Sequence, residues 1–157
     1  MINWPIGYSP DKAAVHARNE IDIQATPDTV WSWLVRAKTW PSWYSNSHDV
    51  VIEGGASILG PGSKFSWKTF GVTLSSRVEE FVPNQKITWS SRGMGVNSFH
   101  VFLIEGRSSG CHVLTEETEN GWLANLGHLL RPRNLSEKHQ LWLVQLRSKA
   151  QGGLPSE

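Results

Sequence analysis

Two ionisable side chains stand out as candidates for chemistry, His100 and Glu117. A histidine beside a carboxylate can hydrogen-bond a ligand carbonyl or transfer a proton, because the pair offers a donor and a base near neutral pH. Whether they meet depends on one hairpin. Residues 97–106 (NSFHVFLIEG) and 111–119 (CHVLTEETE) read as strands joined around RSSG. Opposed residue numbers in an antiparallel pair sum to a constant. A two-residue turn at Ser109–Gly110 sets Phe102 across from Glu117, with His100 its diagonal neighbour at roughly 7–8 Å. A four-residue turn from Arg107 to Gly110 sets His100 directly across from Glu117, at about 5 Å between Cβ atoms. A three-residue turn or a one-residue bulge sends them to opposite faces. Phe102, Ile104 and Val113 share the face, which argues that it points inward. The competing expectation is that both groups face solvent or bond unrelated backbone.

The surroundings of that pair are unusually rich in tryptophan: nine Trp, against five Phe and two Tyr. Trp is large and apolar and carries one N–H donor. Phe65 and Trp67 share one strand face, with Lys64, Ser66 and Lys68 on the other. Ile87, Trp89 and Ser91 share a face in the next strand. A ligand site is mostly apolar with a few placed polar groups. Trp89, His100 and Glu117 are the expected polar groups, with Tyr44 and His139 at the mouth or on a helix. Phe65, Trp67, Phe102, Trp142, Leu143 and Leu146 are the expected apolar lining. The alternative is that these aromatics only fill a core.

Other chemistries find little support. GMGVNS is a short Gly pair between strands, not a phosphate loop. No Cys and His fall at zinc-ligand spacing, and six His are scattered singly, so no metal or other cofactor is expected. Ser45, Ser47 and His48 do not form a G-x-S-x-G elbow. Cys111 has no base placed beside it and reads as a passive small side chain. Arg131 and Arg133 with Lys138, Arg147 and Lys149 form a local basic patch, expected on solvated helix faces. Fifteen basic and fourteen acidic residues leave a net charge of +1. That gives no footprint for nucleic acid or for an anionic membrane.

The lone cysteine excludes an internal disulfide and points to a reducing compartment. The opening MINWPIGYSP has no basic segment followed by an apolar one, so no signal peptide is expected. No apolar run reaches the ~20 residues of a membrane helix. A cytoplasmic protein without integral membrane association is the expectation.

The elements that must position these residues read as follows. Residues 1–13, with Pro5, Gly7 and Pro10, form an irregular arm. Residues 14–25 alternate, as a strand with one wet face does. Thr26, Pro27 and Asp28 open a helix as N-cap, first-turn proline and dipole-matched acid. Val30, Trp33, Leu34 and Ala37 form its stripe, and TWPSWYSN follows as a short second helical turn. Six further strands are expected at 48–53, 64–70, 73–82, 86–92, 97–106 and 111–119. Their connections are mostly too short for parallel crossovers, so the sheet is an antiparallel meander. Trp122, Leu126, Leu129 and Leu130 are spaced for one helix, and Pro132 interrupts. A long helix starts near Ser136, with Leu135, His139, Trp142, Leu143, Leu146 and Ala150 in one stripe, and Gly152–Gly153 ends it. A single domain over 14–151 and a tail over 152–157 complete the chain.

The run IDIQATPDTVWSWLVRAKTWPSWYSN resembles the opening of the START-like (SRPBCC) superfamily. GSKFSWKTFGVTLSSRVEEFVPNQKITW resembles its central hairpins, and HVLTEETENG followed by a helix resembles its close. The nearest branch is the polyketide cyclase/dehydrase and lipid-transport family, and the likeness spans roughly residues 14–150. It implies an α+β helix-grip fold: a seven-stranded curved antiparallel sheet around a long C-terminal helix, with two short helices after strand one and an internal cavity. It also implies binding or transport of a small hydrophobic ligand, such as a lipid, polyketide or aromatic metabolite. The rivals are a cyclase or dehydratase using His100 and Glu117, and a protein-interaction module. An open cavity with a paired His and Glu favours the enzyme. Isolated polar groups favour a carrier, and a solid core favours the module.

Overall fold

The computed structural model describes residues 2–156. Seven strands form one antiparallel sheet: β1 (Val15–Ile23), β2 (His48–Ile52), β3 (Lys64–Thr69), β4 (Val72–Val82), β5 (Lys86–Gly93), β6 (Val96–Arg107) and β7 (Gly110–Asn120). Their order is β1-β7-β6-β5-β4-β3-β2. From β2 onward each strand pairs with the next in sequence, as short connections require. β1 closes the far edge against β7. Between β1 and β2 lie helix α1 (Pro27–Val35) and a 3₁₀ turn over Ala37–Ser42. After β7 come α2 (Trp122–Leu130) and α3 (Asn134–Gln151). This is the helix-grip architecture expected from the sequence.

Local chemistry accounts for the boundaries. Thr26 Oγ1 accepts from the Thr29 N–H at 3.3 Å, capping α1, and Pro27 occupies its first turn. Trp31 and Val35, off the main stripe, are buried with Val30 and Leu34, so α1 is covered on more than one side. Pro41 lies inside the 3₁₀ turn, where the tighter winding accommodates it. α3 begins two residues before the expected start at Ser136, directly after Pro132 and Arg133. Gly153 adopts a left-handed φ of 113° just beyond its end.

α3 lies in the grip of the sheet. Its buried residues are Leu135, His139, Trp142, Leu143, Leu146 and Ala150, one stripe at helical spacing. The core stands between this stripe and the concave sheet face. Trp40, from the 3₁₀ turn, reaches its centre and donates its indole N–H to the Leu34 carbonyl at 3.0 Å. Its ring packs against Phe65, Trp67, Trp89 and Trp142, with centroids 5.0–6.0 Å apart. One end of the concavity is thereby filled with aromatic side chains.

α2 differs from the other helices. Of its nine residues only Ala124 is buried. Its start is tied to the β5–β6 turn: the Leu123 N–H donates to the Gly95 carbonyl at 3.0 Å. Gly121, at φ 113°, makes that approach possible, because a Cβ there would stand 2.3 Å from the Gly95 oxygen.

Candidate functional site

The β6–β7 hairpin closes with Arg107 opposite Gly110, and His100 is opposite Glu117. Of the registers open to the sequence, this is the one that sets the two face to face. Both side chains are buried on the concave side, and α3 brings His139 down onto them. His139 Nε2 stands 2.8 Å from Glu117 Oε2 and His100 Nδ1 stands 3.2 Å from the same oxygen. His100 Nε2 lies 2.7 Å from Thr115 Oγ1. Three elements thus converge on one carboxylate.

The protonation of the cluster follows from its surroundings. Burial lowers the His100 pKa and outweighs the opposing pull of Glu117. A neutral His100 carries one N–H. With Nδ1–H turned to the carboxylate, Nε2 accepts from the Thr115 hydroxyl, so both His100 nitrogens are paired, whereas the buried His139 Nδ1 has no partner among the described residues. Burial pushes the Glu117 carboxyl up, but the attraction of His100 once it takes up a proton at lower pH and hydrogen bonds from both histidines overcome it, holding the carboxyl well below the usual range. Glu119, two residues on and on the same strand face, is pushed up to about 8 by burial and then by the charge of Glu117. One carboxyl of the pair is thus ionised at neutral pH and the other protonated. Environments that drive two carboxyls apart in this way are a feature of acid–base sites.

A cavity of about 200 Å³ opens beside this cluster. Of the residues expected at a ligand site, Tyr44, Trp67, His100, Glu117, His139 and Trp142 line it. Tyr44 stacks on Trp142 with centroids 4.5 Å apart, and its hydroxyl accepts from Asn46 Nδ2 at 3.0 Å. Burial raises the Tyr44 pKa, so the phenol stays neutral. Asn46 Oδ1 also accepts from the Phe70 N–H at 3.0 Å, steadying a cavity residue held at a φ of 50°. Trp67 donates its indole N–H to Ser76 Oγ at 3.1 Å, and Ser76 pairs with Ser91 at 2.7 Å. The β-strand wall is therefore held by buried hydrogen bonds.

The remaining expected residues sit elsewhere. Phe65, Trp89, Phe102, Leu143 and Leu146 are buried in the core and do not line the cavity; Trp40 packs against Phe65 and Trp89, and Trp142 against Phe102. Trp89 stacks on His100 at 4.6 Å, backing the site from behind. Cys111 is buried, and burial raises its thiol pKa, as befits a passive side chain. Sequence reasoning missed Glu119 and the α2 contribution of Leu123, Ala124, Gly127 and His128, with Arg131 just beyond. Glu119 shares the parity of Glu117, and that signal was available. The position of α2 over the cavity is set by tertiary contacts and has no local signature.

His100, Glu117 and His139 also have the donor types of a metal site, with all three ligand atoms within 4.8 Å of one another. Their mutual contacts account for the geometry as a hydrogen-bonded network.

A family model described as polyketide cyclase / dehydrase and lipid transport matches residues 14–122. No curated protein sequence matches the chain. A hypothetical protein of Helicobacter pylori has a similar crystal structure, with TM-score 0.85 and 25% identity over 96% of both chains. The di-domain ARO/CYC protein StfQ of the steffimycin biosynthetic pathway superposes with TM-score 0.72 at 16% identity, over 88% of this chain and 51% of its own — the fold of one half. A START superfamily protein of Mycobacterium smegmatis gives TM-score 0.69 at 12% identity, over 87% of this chain and 97% of its own.

Proposed function

From a chain that belongs to the polyketide cyclase/dehydrase and lipid-transport family of START-like proteins, we propose a binding protein for a small hydrophobic ligand that carries one polar group. The observation behind this is the cavity: apolar walls from Trp67, Leu74, Val96 and Trp142 end at Glu117 and His139. The apolar walls supply binding energy by removing ligand surface from water, and the polar end fixes orientation. A ligand hydroxyl or amide could donate to the Glu117 carboxylate. A ligand carbonyl could accept from protonated Glu119.

Size narrows the class. An apolar cavity of ~150 Å³ holds a benzene. A cavity of about 200 Å³ therefore suits one aromatic ring with substituents, or the end of an acyl chain. A fused polyketide would require movement of α2. The open cavity also argues for a small molecule over a protein-interaction module. The buried, unpaired Cys111 fits a reducing compartment such as the cytoplasm.

One observation favours a second reading, acid–base catalysis on the bound ligand. The histidines and glutamate are paired, and Glu117 and Glu119 hold opposite protonation states at neutral pH. Glu119 would give a proton and the neutral His100 would take one, while Glu117, held too low to be an effective base, would orient the two histidines. Native mass spectrometry of protein purified from its own host tests both readings. A co-purified apolar species supports binding. A released species differing from the added one by water, or by a rearranged bond, supports catalysis. Protein that carries nothing and binds nothing across a lipid and aromatic panel would refute both.

A further inference from the structure

The outer face of α2 is apolar and uncovered. Trp122, Leu126, Leu129 and Leu130 follow helical spacing and are 62%, 44%, 78% and 70% exposed. Met94, 70% exposed, lies in the β5–β6 turn whose Gly95 carbonyl anchors the start of α2, and a Cβ at Gly95 would touch the Trp122 ring. Leaving four large side chains in water on one nine-residue helix opposes folding and needs a compensating contact. The opposite side of the same helix, through Leu123, Ala124 and Gly127, lines the cavity. The exposed stripe is therefore not a misplaced core face. α2 is apolar on two sides, and only one of them is used within the molecule.

Charge identifies the occupant. From Asn120 to Ser136 the chain has no acidic residue, and it carries Arg131 and Arg133 directly after the stripe. Both arginines are exposed, Arg131 at the rim of the cavity, and neither forms an ion pair among the described residues. The net charge of the protein is only +1, so this is a local feature of the α2 end and not a general basic surface. A short helix with Trp and Leu on one face and arginines at its end matches the pattern of segments that lie in the interface of an anionic bilayer. The apolar side chains enter the acyl boundary, Trp sits at headgroup depth, and Arg meets the lipid charge. A second copy of the chain is the rival occupant, and the oligomeric state tests it.

We propose that α2 docks the protein on an anionic lipid surface, with Trp122, Leu126, Leu129, Leu130 and Met94 inserted and Arg131 and Arg133 at the headgroups. No helix of the described residues is long and apolar enough to cross a membrane, so the attachment is peripheral and reversible. Docking places the cavity wall formed by α2 against the bilayer. That consequence rests on the ligand reading above, but the docking does not.

Vesicle flotation without added ligand separates the two. The wild-type chain should float with phosphatidylcholine vesicles containing phosphatidylglycerol and be released by salt. Leu129→Ser with Leu130→Ser should lower the partition coefficient more than about tenfold, since each leucine loses its insertion energy. These residues are exposed, so circular dichroism should show the fold unchanged. Arg131→Gln and Arg133→Gln should each cost about fivefold on anionic vesicles and nothing on neutral ones. Failure of the wild type to float would overturn the proposal. So would flotation unaffected by the leucine changes. A dimer in sedimentation velocity that the leucine changes dissociate, without vesicle binding, would assign the face to a second copy instead.

Discussion

Glu117→Gln removes the charge at the centre of the site and keeps the side chain's shape. In the wild type one carboxylate oxygen faces His139 Nε2 at 2.8 Å and His100 Nδ1 at 3.2 Å, all of them buried. A hydrogen bond to a charged group contributes about 1.5–3 kcal/mol. The amide oxygen can take the place of that one oxygen and accept from both histidines, but each bond becomes a neutral one, worth about 0.5–1.5 kcal/mol. The net loss should be about 2–4 kcal/mol. For a chain of this length each kcal/mol moves Tm by about 2–4 °C, so thermal unfolding should shift down by about 5–15 °C. A second effect follows at Glu119. The charge of Glu117 is one of the two causes that push its carboxyl up to about 8. Without it, burial alone remains, and the Glu119 midpoint should fall while staying above the usual carboxylate value. Carboxyl-carbon NMR reads that midpoint directly. A loss under about 0.5 kcal/mol together with an unmoved Glu119 titration would refute the cluster as described.

Other changes test the frame around it. Trp142, 1% exposed and stacked on Tyr44, should cost about 3–5 kcal/mol when cut to Ala, measurable by urea unfolding; a negligible shift would mean that the α3 stripe packs elsewhere. Glu119→Gln tests pH linkage. The folded carboxyl holds its proton up to about 8, whereas an ordinary one loses it near 4.5. The stability from this group is complete below the lower value and lost as pH rises through the upper one. The wild type minus variant difference should therefore decline by at least about 1 kcal/mol across that window, and a pH-independent difference would contradict the assignment.

Much of the fold is legible in the sequence because its signals are local. The alternation from Val15 to Ile23, the Thr26–Pro27 helix start and the short turns between β2 and β7 each carry their own chemistry. The α3 stripe from Leu135 to Ala150 is likewise a matter of spacing. The site is legible only in part. Parity puts His100 and Glu117 within reach, but the hairpin register that joins them depends on how Ser108 and Ser109 turn. His139 joins them through the packing of a helix more than twenty residues away, which no local pattern encodes. The distinction between cavity wall and solid core is harder still. Phe65 and Trp67 share a strand face, yet only Trp67 borders the cavity, while Phe65 packs into the core against Trp40 and Trp89. The apolar spacing of α2 shows a helix but not which side is left bare.

The central claim is that the cavity under α2 holds a ligand, and Gly127→Phe tests it most directly. Gly127 lines the cavity, and a Cβ there meets nothing within 4 Å, so a phenyl ring can occupy the space without displacing the core. Replacing a helical glycine also favours the helix by roughly 0.5 kcal/mol. Intrinsic tryptophan fluorescence, with Trp67 and Trp142 in the wall, should report binding of single-ring aromatics or short acyl chains. The account predicts saturable one-to-one binding to the wild type, and loss of that binding in Gly127→Phe with an unchanged or raised Tm. Equal affinity in both proteins would contradict it.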